Sequence, residues 1–197
     1  VCAESLTSYL RRFDFVLNDL ASRLNKKINP IRFEGNDIPI IIDPYRDLFE
    51  SFVHLFRNIV DHGIEPPEAR KKAGKDEKGT VEIKMALYEK NQGQFWMRLD
   101  IRDDGMGVDV DSLRARLVTL HSAGGWDKCS AREILDSLLT CSISSREKVT
   151  VYSGRGVGIC TVNAEVVKAG GLMALNSIRN EGTLVTIDVP YMLEFRR

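Results

Sequence analysis

Four short runs in this 197-residue chain hold residue types that can do chemistry. The first is His54-Leu55-Phe56-Arg57-Asn58-Ile59-Val60-Asp61-His62-Gly63, which sets two of the three histidines beside an amide and a carboxylate. If residues 45–62 are helical, each residue turns by about 100°; with His54 at zero, Asn58 lies at about 40°, Asp61 at about −20° and His62 at about 80°. Leu48, Phe49, Phe52, Phe56, Ile59 and Val60 fall on the far side. A polar stripe is ordinarily a solvated face. Solvated faces are rich in Lys and Glu, however, whereas these short side chains suit metal and phosphate contacts.

The second run is Asp103-Asp104-Gly105-Met106-Gly107. Glycines two apart let another backbone or a flat ligand come close, and the aspartate can accept a hydrogen bond from an exocyclic amine. Alone, the run reads as a turn. The third, Ser153-Gly154-Arg155-Gly156-Val157-Gly158, directly precedes a helical pattern. Successive N–H groups at a helix start, with its positive dipole end, favour a phosphate. It is not a Walker motif, because no Gly-x4-Gly-Lys-Ser/Thr is present, and residues 146–153 do not make the buried strand a dinucleotide fingerprint needs. On its own a flexible hinge explains it equally well. The fourth, Gly182-Thr183, is fully accounted for by a turn entering a strand.

These runs must be positioned by the elements between them. Residues 4–24 show helical spacing from Leu6 to Leu24, ended by Lys26-Lys27 and Asn29-Pro30. Ile31–Glu34 reads as a short strand, Gly35-Asn36-Asp37 as a turn and Ile38–Ile42 as a brief apolar segment. Asp43 is the expected N-cap of the helix that carries the stripe, with Pro44 at its first position. Gly63 closes that helix, and a charged connection with a short helix at 67–73 runs to Gly79. Thr80–Tyr88 and Gln94–Ile101 alternate around Asn91-Gln92-Gly93, which predicts an antiparallel hairpin. Helices follow at 113–120, 131–139 and 157–168, and a last hairpin at 172–178 and 183–189. The fold class is α+β: a two-layer sandwich with a mixed sheet covered on one face by helices.

Composition is ordinary for a soluble globular protein, with 43% hydrophobic and 28% charged residues. The 28 basic and 28 acidic residues cancel, so nothing electrostatic points to nucleic acid or an anionic membrane as partner. No apolar run is long enough for a membrane span, and neither a basic n-region nor an apolar h-region marks a signal peptide. The first residue, Val1, reads as the start of a fragment. Cys2, Cys129, Cys141 and Cys160 show no metal-ligand or disulfide pattern, so reduced thiols in a cytoplasmic compartment are expected.

Taken in chain order, His-x3-Asn-x2-Asp-His-Gly, Asp-x-Gly-x-Gly, Gly-x-Gly-x-Gly and Gly-Thr resemble the N, G1, G2 and G3 boxes of the ATP-binding domain of histidine protein kinases in the GHKL superfamily. More narrowly, His54–Glu65, Pro67–Lys75, Asp103–Gly107 and Ser153–Gly158 are similar to segments of the CheA group. The resemblance spans about residues 10–192. It implies the Bergerat α/β sandwich, with ATP between helices under a mobile lid. The chain reads as an N-terminal helix at 1–28, either the end of a preceding segment or a satellite core helix, and a kinase domain at 29–197. The resemblance implies Asn58 as ligand of Mg²⁺, Asp103 as acceptor of the adenine amine and His54 near the phosphates as the catalytic residue. Gly154, Gly156 and Gly158, with Arg155 and Val157, match the phosphate cradle; Gly105, Gly107 and Thr183 match the remaining nucleotide contacts. Asp61 and His62 are expected to steady the other two residues of the stripe.

Expected cofactors are therefore ATP and Mg²⁺. The expected reaction is transfer of the γ-phosphoryl to a histidine, for relay to a response regulator. None of His54, His62 or His121 is followed by an acidic residue, so the acceptor is expected on a separate histidine-phosphotransfer domain, within a homodimeric parent protein. The family's F box, with its phenylalanine, is replaced here by Leu138-Leu139-Thr140-Cys141-Ser142-Ile143-Ser144. That departure supports a second reading, a nucleotide-binding but catalytically idle module that serves as scaffold or sensor. A third, a GHKL ATPase or serine kinase of the anti-sigma type, is disfavoured by Asp61-His62-Gly63-Ile64-Glu65.

Overall fold

The computed structural model describes residues 3–120, 125–140 and 158–192. A five-stranded sheet organises it, in the order β2-β4-β5-β7-β6. Its strands are β2 (Arg32–Glu34), β4 (Val81–Asn91), β5 (Gln94–Asp103), β6 (Leu172–Ile178) and β7 (Gly182–Pro190). β2 runs parallel to β4 and every other pairing is antiparallel, which makes the sheet mixed. Alternation decides which face is covered: Val81, Ile83 and Met85 of β4, Met97, Leu99 and Ile101 of β5, and Val185, Ile187 and Val189 of β7 are all buried on one side. Helices α2 (Phe13–Arg23), α3 (Arg46–Asn58) and α7 (Ile159–Lys168) supply the apolar layer against it. Aromatic rings bind α2 to α3, with the Phe13 centroid 4.8 Å from that of Phe56 and 6.4 Å from that of Phe52.

Three expectations change. The single helix at 4–24 is instead a two-residue strand β1 (Glu4–Ser5), a short α1 (Leu6–Arg11) and α2. β1 pairs with β3 (Pro39–Ile40), and Ser5 caps α1 through Ser8 N–H at 3.0 Å. Asp43 is not the N-cap: it opens a 3₁₀ turn, Asp43–Tyr45, and its carboxylate takes the Arg46 guanidinium. Finally, the stripe-bearing helix is not α-helical to its end. After Asn58 it widens into a π turn, Ile59–Gly63, closed by Ile64 N–H on the Ile59 carbonyl at 2.7 Å.

A smaller second core joins α5 (Val110–Leu120), a 3₁₀ turn at Trp126–Lys128 and α6 (Ala131–Ser137), where Leu113, Leu117 and Ile134 pack together. Ser130 caps α6 in a reciprocal box with Glu133. The connection α4 (Pro67–Lys72) leads from the π turn back to β4.

Candidate functional site

The π turn is where three of the four runs meet. Asn58 begins it and Gly63 ends it, so the two lie roughly 7 Å apart along the axis. The wider turn leaves carbonyls without helical partners. Lys26, from just beyond α2, takes those of Val60 at 2.6 Å and Asp61 at 2.9 Å. Partial burial lowers the pKa of that ammonium, with Asp61 and Glu65 opposing the shift. The Gly63 carbonyl accepts from Met106 N–H at 2.8 Å, which pins the 103–107 loop to the end of the turn.

Asp103 is the last residue of β5 and points to the helix-covered side with Met97, Leu99 and Ile101. It is 4% exposed. Burial pushes its carboxyl up to about 6, and Asp104 adds to the rise. The N–H groups of Gly105, at 2.9 Å, and Thr183 oppose it, together with the Lys75 ammonium. The loop can lie this close only because its glycines have no side chain. A Cβ on Gly105 would stand 2.2 Å from the Gly63 carbonyl and 2.8 Å from Asp103 Oδ1. A Cβ on Gly182, at φ 115°, would stand 2.0 Å from the Asp103 carbonyl. Thr183 faces Asp103 across the β5–β7 ladder, and its hydroxyl lies 3.0 Å from Ser177 Oγ. Gly107, at φ 67°, sits against the Ile178 carbonyl.

At the other end, Asn58 and His54 lie half-buried on α3, and among the described residues neither side chain makes a hydrogen bond. A Cβ on Gly158 would come 3.7 Å from Asn58 Nδ2, so the amide stands over the N-terminus of α7. Gly158 caps that helix in a non-helical conformation, and no acidic residue occupies its first turn. Asp61 turns toward Arg57, at 3.2 Å, and His62 is exposed. Gly154, Arg155, Gly156, Val157 and His121 lie outside the described residues, as do Cys2 and Cys141.

Sequence reading missed the residues behind the 103–107 loop. Arg70 of α4 is fully buried and bonds Glu65 at 3.0 Å, Asp104 at 2.9 Å and the Asp76 carbonyl at 2.7 Å. Lys75 bonds Glu65 at 2.8 Å. These residues sit in a stretch whose charge density reads as solvated, and only the Glu-Ala-Arg and Ala-Gly-Lys likeness singled them out. Their closed pairing is what makes the buried guanidinium tolerable.

A donor set of one amide oxygen, buried carboxylate and helix-start N–H groups can hold a base at one end and an anion with a hard cation at the other. Comparison with known proteins addresses the family and the fold. The chain is 31% identical over 188 residues to the chemotaxis protein CheA of Borreliella burgdorferi, covering 95% of this chain and 21% of that protein. It is 33% identical over 191 residues to CheA of Listeria monocytogenes, covering 94% of this chain and 29% of that protein. It therefore spans less than a third of these relatives. Among solved structures, the mycobacterial sensor histidine kinase MprB superposes with TM-score 0.57 at 14% identity, covering 97% of this chain and 98% of that one. The catalytic domain of histidine kinase ThkA superposes with TM-score 0.53 at 12% identity, covering 97% of each chain. At such identities these two speak for the fold. Residues 47–192, three quarters of the chain and all of the site just described except Lys26, match the model of one family, and the chain belongs to it: the histidine kinase-, DNA gyrase B- and HSP90-like ATPases.

Proposed function

We propose that the chain is the catalytic domain of a CheA-like two-component kinase, binding Mg²⁺-ATP and passing the γ-phosphoryl to a histidine on a separate domain, for relay to a response regulator. The observation that carries this reading is the pairing, across one π turn, of a buried carboxylate with an amide that faces a helix N-terminus. Asp103 would accept from the exocyclic amine of adenine. The N–H groups at the start of α7, with the glycine run before it, would hold the phosphates. The Asn58 carboxamide makes no hydrogen bond among the described residues and offers a hard oxygen, so it fits Mg²⁺. Bound Mg²⁺ would offset the charge that develops on the phosphates.

Phosphoryl transfer asks a protein mainly for position and charge stabilisation. The acceptor imidazole nitrogen attacks Pγ as the bond to the β,γ-bridging oxygen breaks and ADP leaves. His54 would polarise that imidazole or contact the γ-phosphate. His54→Gln is then expected to lose transfer while keeping ATP affinity; parallel loss of both would remove His54 from the chemistry. Asp61 and His62 would hold His54 and Asn58 in place. A cytoplasmic setting is part of this reading; among the described residues Cys129 and Cys160 form no disulfide. Among the described residues no helix is long and apolar enough to cross a membrane.

The test is incubation with labelled ATP and a histidine-phosphotransfer domain from the same organism. Label on the acceptor is the expected result. Binding without transfer would favour the idle module, the reading supported by the altered stretch 138–144, whose Leu139 is buried in the main core.

A further inference from the structure

Lys75 meets three acceptors: Glu65 Oε1 at 2.8 Å, the Asp104 carbonyl at 2.9 Å and the Gly105 carbonyl at 2.7 Å. That is the full complement of an ammonium. The Asp104 carbonyl belongs to the same planar peptide as the Gly105 N–H, which Asp103 Oδ1 accepts at 2.9 Å. One edge of that peptide is therefore held by Lys75 and the opposite edge holds the carboxylate. Arg70 steadies the frame by taking the second oxygen of Glu65 and Asp104 Oδ2, while Asp104 Oδ1 accepts the Thr80 N–H at 2.9 Å.

We propose that Lys75 is a positioning residue for nucleotide binding: through the Asp104–Gly105 peptide it fixes one oxygen of Asp103, leaving the carboxylate oriented to receive a base amine. This rests on the reading of Asp103 as the base acceptor. Two charged groups bear on that carboxyl, Asp104 raising its pKa and Lys75 lowering it. The π turn presents Gly63 to it and β7 presents the Thr183 N–H. Removing Lys75 and removing the Asp104 charge therefore disturb the same frame but act on Asp103 in opposite directions.

The experiment pairs calorimetric titration of ATP with a ¹³C NMR titration of the Asp103 carboxyl in the nucleotide-free chain. Lys75→Met is expected to weaken ATP by about tenfold and to raise the Asp103 midpoint by about half a pH unit. Asp104→Asn, which keeps the shape, is expected to lower the midpoint. Lys75→Arg keeps the charge and so the midpoint, but a planar fork does not reproduce three contacts to one point, and ATP stays weaker than in the parent chain. An Asp103 midpoint that is the same in the parent, Lys75→Met and Asp104→Asn overturns the proposal, as does parental ATP affinity in Lys75→Met. If Lys75→Met does not fold, Lys75→Arg and Asp104→Asn decide the same question. Failure of the parent chain to bind ATP, or full binding by Asp103→Asn, would instead sink the nucleotide reading; the carboxyl titration still decides whether Lys75 governs Asp103.

Discussion

Around Asp103 the polar groups are tied to one another: Glu65, Arg70, Lys75 and Asp104 form a closed set, and the loop they brace is zipped to Gly63 and β7. Around Asn58, one turn of helix away, the amide and the His54 imidazole make no hydrogen bond among the described residues. The difference separates two ways of preparing a site. The Asp103 end is shaped before any ligand arrives, by interactions that also stabilise the fold. On the proposed reading, the Asn58 end would leave its polar groups for the ligand to satisfy. Substitutions at the first end should therefore move stability, and those at the second should move ligand response alone.

The largest effect is expected from Arg70→Met. The guanidinium is fully buried and its removal strands Glu65 and Asp104 with fewer partners, a loss of about 3 kcal/mol. Urea unfolding measures it. A change below about 1 kcal/mol would show that the brace contributes little and that the two ends are alike.

Asp103→Asn sharpens the contrast by going the other way. The carboxyl sits at about 6 when folded against an ordinary 3.8, so its contribution to stability is fully present below about pH 4 and is lost as pH rises through 6. At pH 7 the ionised, buried group costs on the order of 1–3 kcal/mol. The amide can still accept the Gly105 and Thr183 N–H groups. The variant should be more stable than the parent at pH 7, equal to it near pH 4, and unable to bind ATP. Unfolding at the two pH values checks the first pair and calorimetry the last; lower stability at pH 7 would mean that the charge is not held under strain.

Much of the fold could be read from residue order because period two and helical spacing are strong signals. The β4–β5 hairpin and its Gly93 turn, the buried face of α3 and the final hairpin all follow from them. Asp103, Asn58 and Gly158 are singled out only by the order of the four runs and the family resemblance it carries, since each run alone reads as a turn, a hinge or a solvated face. The π turn could not be read at all, because Ile59 and Val60 are buried in either helical register; Lys26 and the Gly63–Met106 bond, contacts distant in sequence, hold it. The brace was hidden for a related reason. Glu65, Arg70 and Lys75 lie among other charged residues, and only the chain's return through Asp104 closes them into one set around the buried Arg70. The β1–β3 pair is two residues long, too short for any period to show.

The Asn58 end supplies the smallest change in stability and the clearest functional one. Asn58 is half-buried near the end of α3 and makes no hydrogen bond among the described residues, so truncation removes no internal tie, and alanine favours the helix. Asn58→Ala should therefore leave unfolding within about 0.5 kcal/mol of the parent. If the carboxamide oxygen is the protein's hold on the cation, the gain in ATP affinity on adding Mg²⁺ in place of a chelator should vanish, while affinity in chelator stays at the parental value because Asp103 still takes the base. Calorimetry with and without Mg²⁺ reads both quantities. A stability loss above about 1 kcal/mol would make Asn58 a structural tie like those around Asp103, and an undiminished Mg²⁺ gain would place the cation on other groups. Only the combination of unchanged stability and a lost Mg²⁺ response keeps the two ends distinct in kind.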